Sequence, residues 1–212
     1  MTESFLIPLK GSMHIIAYGL LVPTLIILLL FVALVIIEMG SLLVEALGER
    51  RRSKVNIPEL LNAFKEKDFE GIRDEIMNSS LLRRQKAALS ELLKYNDLPG
   101  VSRQALARRL LSDEELYYAR ITSRTDLVAR LGPMFGLMAT LIPLGPGLIA
   151  LGQGDTKTLA DSLLIAFDAT VTGLAAAGVA YAISQLRKRW YEDYLAGLEA
   201  LMESLLEVLE RE

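Results

Sequence analysis

The chain has 212 residues, 52% of them hydrophobic, a formal net charge of −3, one histidine and no cysteine. The absence of cysteine excludes disulfides, thiolate metal sites and cysteine nucleophiles. The charge balance and the absence of any basic recognition motif exclude nucleic acid as a partner. The apolar residues are not spread evenly but pool in three long runs, the pattern of a membrane protein.

Residues 1–14 form a short N-terminal segment with Lys10 and the lone His14. The first run, Ile15 to Ile37, has 23 residues without a charge and ends at Glu38. It predicts a first transmembrane helix over 15–44, with Pro23 as a possible kink. A signal peptide fits poorly, because the run is too long and no basic segment precedes it.

A basic cluster, Glu49 to Lys54, opens a polar stretch assigned as a helical insert over 45–128. Pro58 suits the first turn of a helix. Apolar residues at helical spacing follow: Leu60, Leu61 and Phe64; Phe69, Ile72 and Ile76; then Leu82, Ala88, Leu89, Leu92 and Leu93. Asn96 to Gly100 is a break. A short helix is expected over Ser102 to Leu111, and Ser112 with Glu115 reads as a capping box starting another. No strand pattern is present. An insert of this size is too small for a large core of its own, so it needs to stack on neighbours or on extended membrane helices.

The second run, Leu131 to Leu151, has 21 residues and no charge, and the third, Ser162 to Leu186, has 25 residues with Asp168 as its single charge. At about 1.5 Å per residue each can cross a hydrocarbon core of about 30 Å. The expected spans are 129–151 and 159–186, joined by a turn at 152–158. Ala166, Thr170, Gly173, Ala177, Ala180 and Ser184 fall on one helix face. Gly132, Gly136, Ala139, Pro143, Pro146 and Ala150 give the preceding span a similar one. Small faces let membrane helices approach closely. They fit either a tightly packed bundle or helices around a narrow shared pathway. Two prolines and two glycines within Ile142 to Leu148 keep that stretch off the lipid.

After the third span, Arg187-Lys188-Arg189-Trp190-Tyr191 leads into an amphipathic helix over 187–212, whose leucine face needs a partner. Lysine and arginine gather at Arg50 to Lys54, Arg120 to Arg130 and Arg187 to Arg189, against Lys10 and Lys157 on the other side. The positive-inside rule then sets the N-terminus and the 152–158 turn outside, and the insert and C-terminus inside. The expected fold class is therefore all-α: an integral membrane protein with three transmembrane helices, a helical cytoplasmic insert and a C-terminal cytoplasmic helix.

No catalytic constellation or cofactor motif is present, because the single histidine can build neither a triad nor a histidine metal site. The glycine-rich 132–154 stretch lacks the Lys-Ser/Thr ending of a phosphate loop. Asp168 is different. A carboxylate deep in a span is a functional candidate by default, though hydrogen bonding to a neighbouring helix accounts for it equally. Thr172 lies one turn later on the same face. Thr140 and Thr170 lie at similar depths, and in an oligomer their hydroxyls can form polar rings that carry water or ions.

Gly136-Leu137-Met138-Ala139-Thr140 is similar to a Gly-Leu-x-Gly-Thr motif, and Ala169-Thr170-Val171-Thr172-Gly173-Leu174 to an Ala-Thr-x-x-Gly-Leu motif. Together with the three-span layout they resemble the MotA/TolQ/ExbB proton-channel family, in its TolQ/ExbB-like branch. Ala139 stands where that family has glycine, and Ile165 where Ton/Tol-type members carry a glutamate. The resemblance implies a homopentamer in the inner membrane, with second and third spans ringing a pore. Inside the ring it implies single-span ExbD/TolR/MotB-like partners, each with an ion-binding aspartate. It also implies ion flow that drives work at a distance, and Thr140 and Thr170 facing the partner. The competing reading is a membrane scaffold that docks proteins through its cytoplasmic helices without ion flow.

Overall fold

The computed structural model describes residues 15–52, 56–66 and 68–211. The 1–14 segment lies outside the described residues, as do Ser53, Lys54 and the side chains of Arg50 to Arg52. The order is α1 (Leu21–Arg52), α2 (Ile57–Glu66), α3 (Phe69–Asn78), α4 (Arg83–Lys94), α5 (Gly100–Gly152) and α6 (Thr156–Arg211), with no strand among the described residues. Among the described residues three helical stretches are long and apolar enough to cross a membrane: Ile15–Gly48, Gly100–Gly152 and Thr156–Glu210. A turn at Leu20 separates residues 15–19 from α1. Pro23 accounts for it, because a proline cannot donate to the carbonyl four residues back.

One departure from the sequence expectation lies in α5. Ser112 does not cap a new helix: the chain is helical through it from Gly100 to Gly152. Arg103, Ala107, Glu114, Tyr118 and Thr122 are buried along one continuous face on both sides of Ser112, and Arg109 bridges Asp113 at 3.1 Å across the expected break. With one buried face and no glycine or proline between 101 and 131, nothing stops the helix there. Pro133, Pro143 and Pro146 also sit inside α5 without ending it.

The described chain forms two compact units. The first contains Arg124–Ser184 and the chain up to Met39; the second contains Gly40–Ser123 and Gln185–Glu212. In the first, the α5 and α6 stretches are joined by a turn whose Gly154 has φ +82°. Asp155 opens α6, accepting hydrogen bonds from the Thr158 amide at 3.0 Å and the Thr158 hydroxyl at 2.5 Å. These bonds hold the Asp155 carboxyl below its ordinary pKa. A depressed carboxyl contributes stability above its unfolded pKa, near about 3.9, and loses it as pH falls through that range and below. The protection of the Thr158 amide, relative to its intrinsic exchange rate at each pH, should therefore fall on acidification and in Asp155→Ala at neutral pH; equal protection would deny the cap.

The second unit has the larger aliphatic core. Leu60 and Phe64 of α2, Ile72 and Ile76 of α3, and Leu89, Leu92 and Leu93 of α4 bury against Leu198, Leu201, Met202, Leu205 and Leu209 of α6. The leucine face of the C-terminal helix thus finds its partner within the chain. Gln85 secures the start of α4 by accepting from the Leu82 amide at 3.1 Å, and donates to the Tyr194 carbonyl at 2.9 Å. Arg84 makes a two-pronged bond to Glu114, at 2.7 and 2.8 Å, with its guanidinium 3.6 Å from the Tyr117 ring centroid. Arg103 donates to the Leu209 carbonyl at 2.8 Å, a cation at a helix C-terminus.

Candidate ion-pathway site

In the first unit the small faces of α5 and α6 meet each other. Gly132 and Gly173 lie backbone to backbone: a Cβ added at Gly173 would fall 2.7 Å from the Gly132 carbonyl oxygen, and one at Gly132 would fall 2.9 Å from the Gly173 carbonyl oxygen. Gly136 sits against the backbone of Ala169 and Thr170, and Gly147 against Ser162. Ala139, Ala166, Ala177, Ala180 and Ser184 are buried along the same seam. Close helix packing therefore accounts for most of the small-residue pattern, as expected where association rests on van der Waals contact.

The two motif threonines lie at the margin of this seam, both half-buried. Thr140 lies twelve residues from Gly152 and Thr170 fourteen from Thr156, so the two side chains sit about 18 and about 21 Å from the turn ends of their helices. The Thr140 hydroxyl donates to the Leu137 carbonyl at 2.6 Å, and the Thr170 hydroxyl donates to the Ala166 carbonyl at 3.0 Å. Each hydroxyl hydrogen is thus engaged by its own helix, and the oxygen keeps lone pairs for a visitor. Pro143 and Pro146 have no N–H to give the carbonyls of Ala139 and Ile142. Pro143 is buried, whereas Pro146 lines a shallow cavity of ≈ 220 Å³ with Ala17, Tyr18, Leu141, Ile142 and Gly145.

Asp168 is exposed on the outer side of α6, with Thr172 half-buried one turn on. Its neighbours Ile165, Phe167 and Val171 are apolar and exposed as well. Gly173 points the opposite way, into the seam. The six polar, proline and glycine positions other than Gly173 thus fall in two groups. Thr140, Thr170, Pro143 and Pro146 accompany the α5–α6 seam, while Asp168 and Thr172 share a separate face of α6.

Among the described residues no group of acids and histidine can hold a metal ion. Two polar contacts escaped sequence reasoning. The Ser184 hydroxyl, fully buried, donates to the Asp126 carboxylate at 2.5 Å. Arg187 is buried against Glu45 and Ser41. Ser184 reads as one more small residue, and Arg187 as one more positive charge beyond a span. The sole sequence cue was position: Ser184 near the end of the third apolar run and Arg187 just past it.

Three long apolar helices and a hairpin packed through glycine and alanine define a helical membrane protein. Residues 72–200 match the model of the MotA/TolQ/ExbB proton channel family, and the chain belongs to that family. No curated protein matches it. Membership carries proton-channel-type function within oligomeric, energy-transducing membrane complexes.

Proposed function

We propose that this chain is the ion-conducting motor subunit of an inner-membrane complex. It works with a single-span ExbD/TolR-like partner whose aspartate loads and releases the ion, most simply a proton. The observation that carries this reading is the pairing of family-motif threonines, Thr140 and Thr170, beside one glycine-packed seam, with their hydroxyl hydrogens already engaged. Lone pairs on these oxygens can accept hydrogen bonds from a proton-carrying water or replace part of an ion's hydration shell. Gly173 serves this arrangement by bringing α6 close to α5. Asp168 and Thr172 face a neighbouring chain or the partner, where an intramembrane carboxylate finds the polar company that lipid does not supply.

In this reading spans 129–151 and 159–186 surround the pathway in a homopentamer and the span within 15–44 faces lipid. The 152–158 turn lies outside, and the 45–128 insert with the 187–212 helix lies in the cytoplasm. The charge distribution supports that orientation.

The test is proton flux in liposomes holding the chain with a co-expressed single-span partner. Thr170→Val should abolish driven flux while the assembly keeps five times the 23.4 kDa chain mass. Undiminished flux would sink the hydroxyl role. Asp168→Asn separates a titrating role, which it removes, from a hydrogen-bonding one, which it largely keeps. A purified chain that stays monomeric, with flux absent in every background, would favour the scaffold reading.

A further inference from the structure

Arg187 of α6 is 1% exposed, which makes it the largest fully buried side chain among the described residues. Its Nε donates to Glu45 Oε2 at 3.2 Å and its Nη2 to Ser41 Oγ at 2.9 Å, both on α1. The Tyr191 hydroxyl donates to the same Glu45 oxygen at 3.3 Å, and the Tyr191 ring stacks on Tyr118 with centroids 4.4 Å apart. Burial, and then the Glu45 charge, push the Tyr191 phenol well above its ordinary pKa, so it remains a donor. Ser41, Glu45, Arg187 and Tyr191 form one closed polar cluster between α1 and α6.

The cluster differs in kind from the aliphatic contacts of α1. Within the first unit α1 buries Thr24 and Glu38 together with an apolar stripe of Leu28, Phe31 and Val35, and Leu28 packs on Ala139 and Ala169. Around this stripe Ile26, Leu29, Leu30, Ile36 and Ile37 are exposed. The side chains of the stripe and around it are all apolar and of similar size. In lipid no hydrophobic gain distinguishes one such contact from another, because acyl chains are as apolar as leucine. Sliding α1 by one turn, about 5.4 Å, would exchange one aliphatic knob for the next. It would also leave the Arg187 guanidinium buried without its carboxylate. Buried ion pairs add little net stability, and fixing register is their best-attested use.

We propose that the Arg187–Glu45–Ser41 cluster sets the register of the first membrane helix against the third. Arg187 acts as a positioning residue: it holds the height and rotation of α1 along α6. The inference does not depend on whether ions flow.

Full-length protein in lipid nanodiscs tests it. The chain has no cysteine, so introduced pairs report without background. Phe31 and Phe135 touch edge to face with centroids 5.7 Å apart. Phe135 is on α5, which the Gly132–Gly173 contact holds against α6, so Phe31→Cys with Phe135→Cys reads the native register and Ile27→Cys or Val35→Cys with Phe135→Cys reads a one-turn slip. With the cluster intact the native pair should cross-link at least about tenfold faster than either shifted pair, the ratio that about 1.4 kcal/mol sustains. In Arg187→Leu/Glu45→Leu, which removes both charges of the pair, the preference should fall to within about twofold. The exchanged pair Arg187→Glu/Glu45→Arg should recover most of it, which a general packing defect would not allow. An unchanged preference in the double leucine variant overturns the proposal. So does failure of that variant to fold, since the pair would then be needed for folding itself rather than for register.

Discussion

Gly173→Ala is expected to destabilise the α5–α6 hairpin while Gly178→Ala, five residues along the same helix, leaves it intact or strengthens it. The added methyl at 173 would meet the Gly132 carbonyl oxygen at 2.7 Å and Gly136 Cα at 3.1 Å. Both obstacles are backbone, so neither can swing aside as a side chain could. The helices must separate, and separation opens the contacts of Ala139, Ala177 and Ala180 along the seam. Overpacking of this kind costs about 1–3 kcal/mol. A methyl at 178 meets nothing within 4 Å. There the substitution exchanges a poor helix former for the best one, a gain of up to about 1 kcal/mol. Thermal unfolding in detergent of both variants, with Gly132→Ala beside them, decides the matter. Indistinguishable melting for Gly173→Ala and Gly178→Ala would mean that the seam tolerates separation and that the glycine contact is incidental.

Leu201→Ala should be strongly damaging to the second unit. Leu201 is 0% exposed and belongs to the cluster formed with Phe64, Leu89, Leu92, Leu198 and Leu205. Truncating a buried leucine costs about 2–5 kcal/mol, the spread depending on how far the cavity collapses. The short helices α2, α3 and α4 have 10, 10 and 12 residues and are marginal without packing. Loss of their α6 support should therefore release them together. Limited proteolysis at the 95–99 turn should accelerate sharply in Leu201→Ala, and far less in Leu206→Ala, where the side chain is only half-buried. Equal protection in the two variants would show that the insert holds itself together without the C-terminal helix.

The contrast between these sites explains what the sequence could convey. Long uncharged runs and repeating apolar residues are local signals, so helices, spans and the leucine face of α6 were legible before any coordinates. The glycine and alanine faces were legible as faces, but two outlets remained open for them, and only the backbone contact of Gly132 with Gly173 distinguishes packing from lining. Ser112 misled because a serine followed three residues later by a glutamate is also compatible with a solvent-facing helix interior. What decided was the continuous buried face on either side. Arg187 and Glu45 are 142 residues apart, and no local pattern links them. The family motifs pointed to Thr140 and Thr170, yet the engagement of their hydroxyl hydrogens depends on rotamer, which composition does not encode.

That engagement bears on which solutes the membrane keeps apart. A threonine that has already given its hydrogen to Leu137 or Ala166 has nothing to offer chloride or phosphate. Prolines at 143 and 146 withhold two further donors from the same stretch. Along the proposed pathway such a surface would discriminate by sign before it discriminates by size. Anions would meet only lone pairs at these threonines, and a voltage across the membrane would be spent on cations without a short circuit through counter-ions.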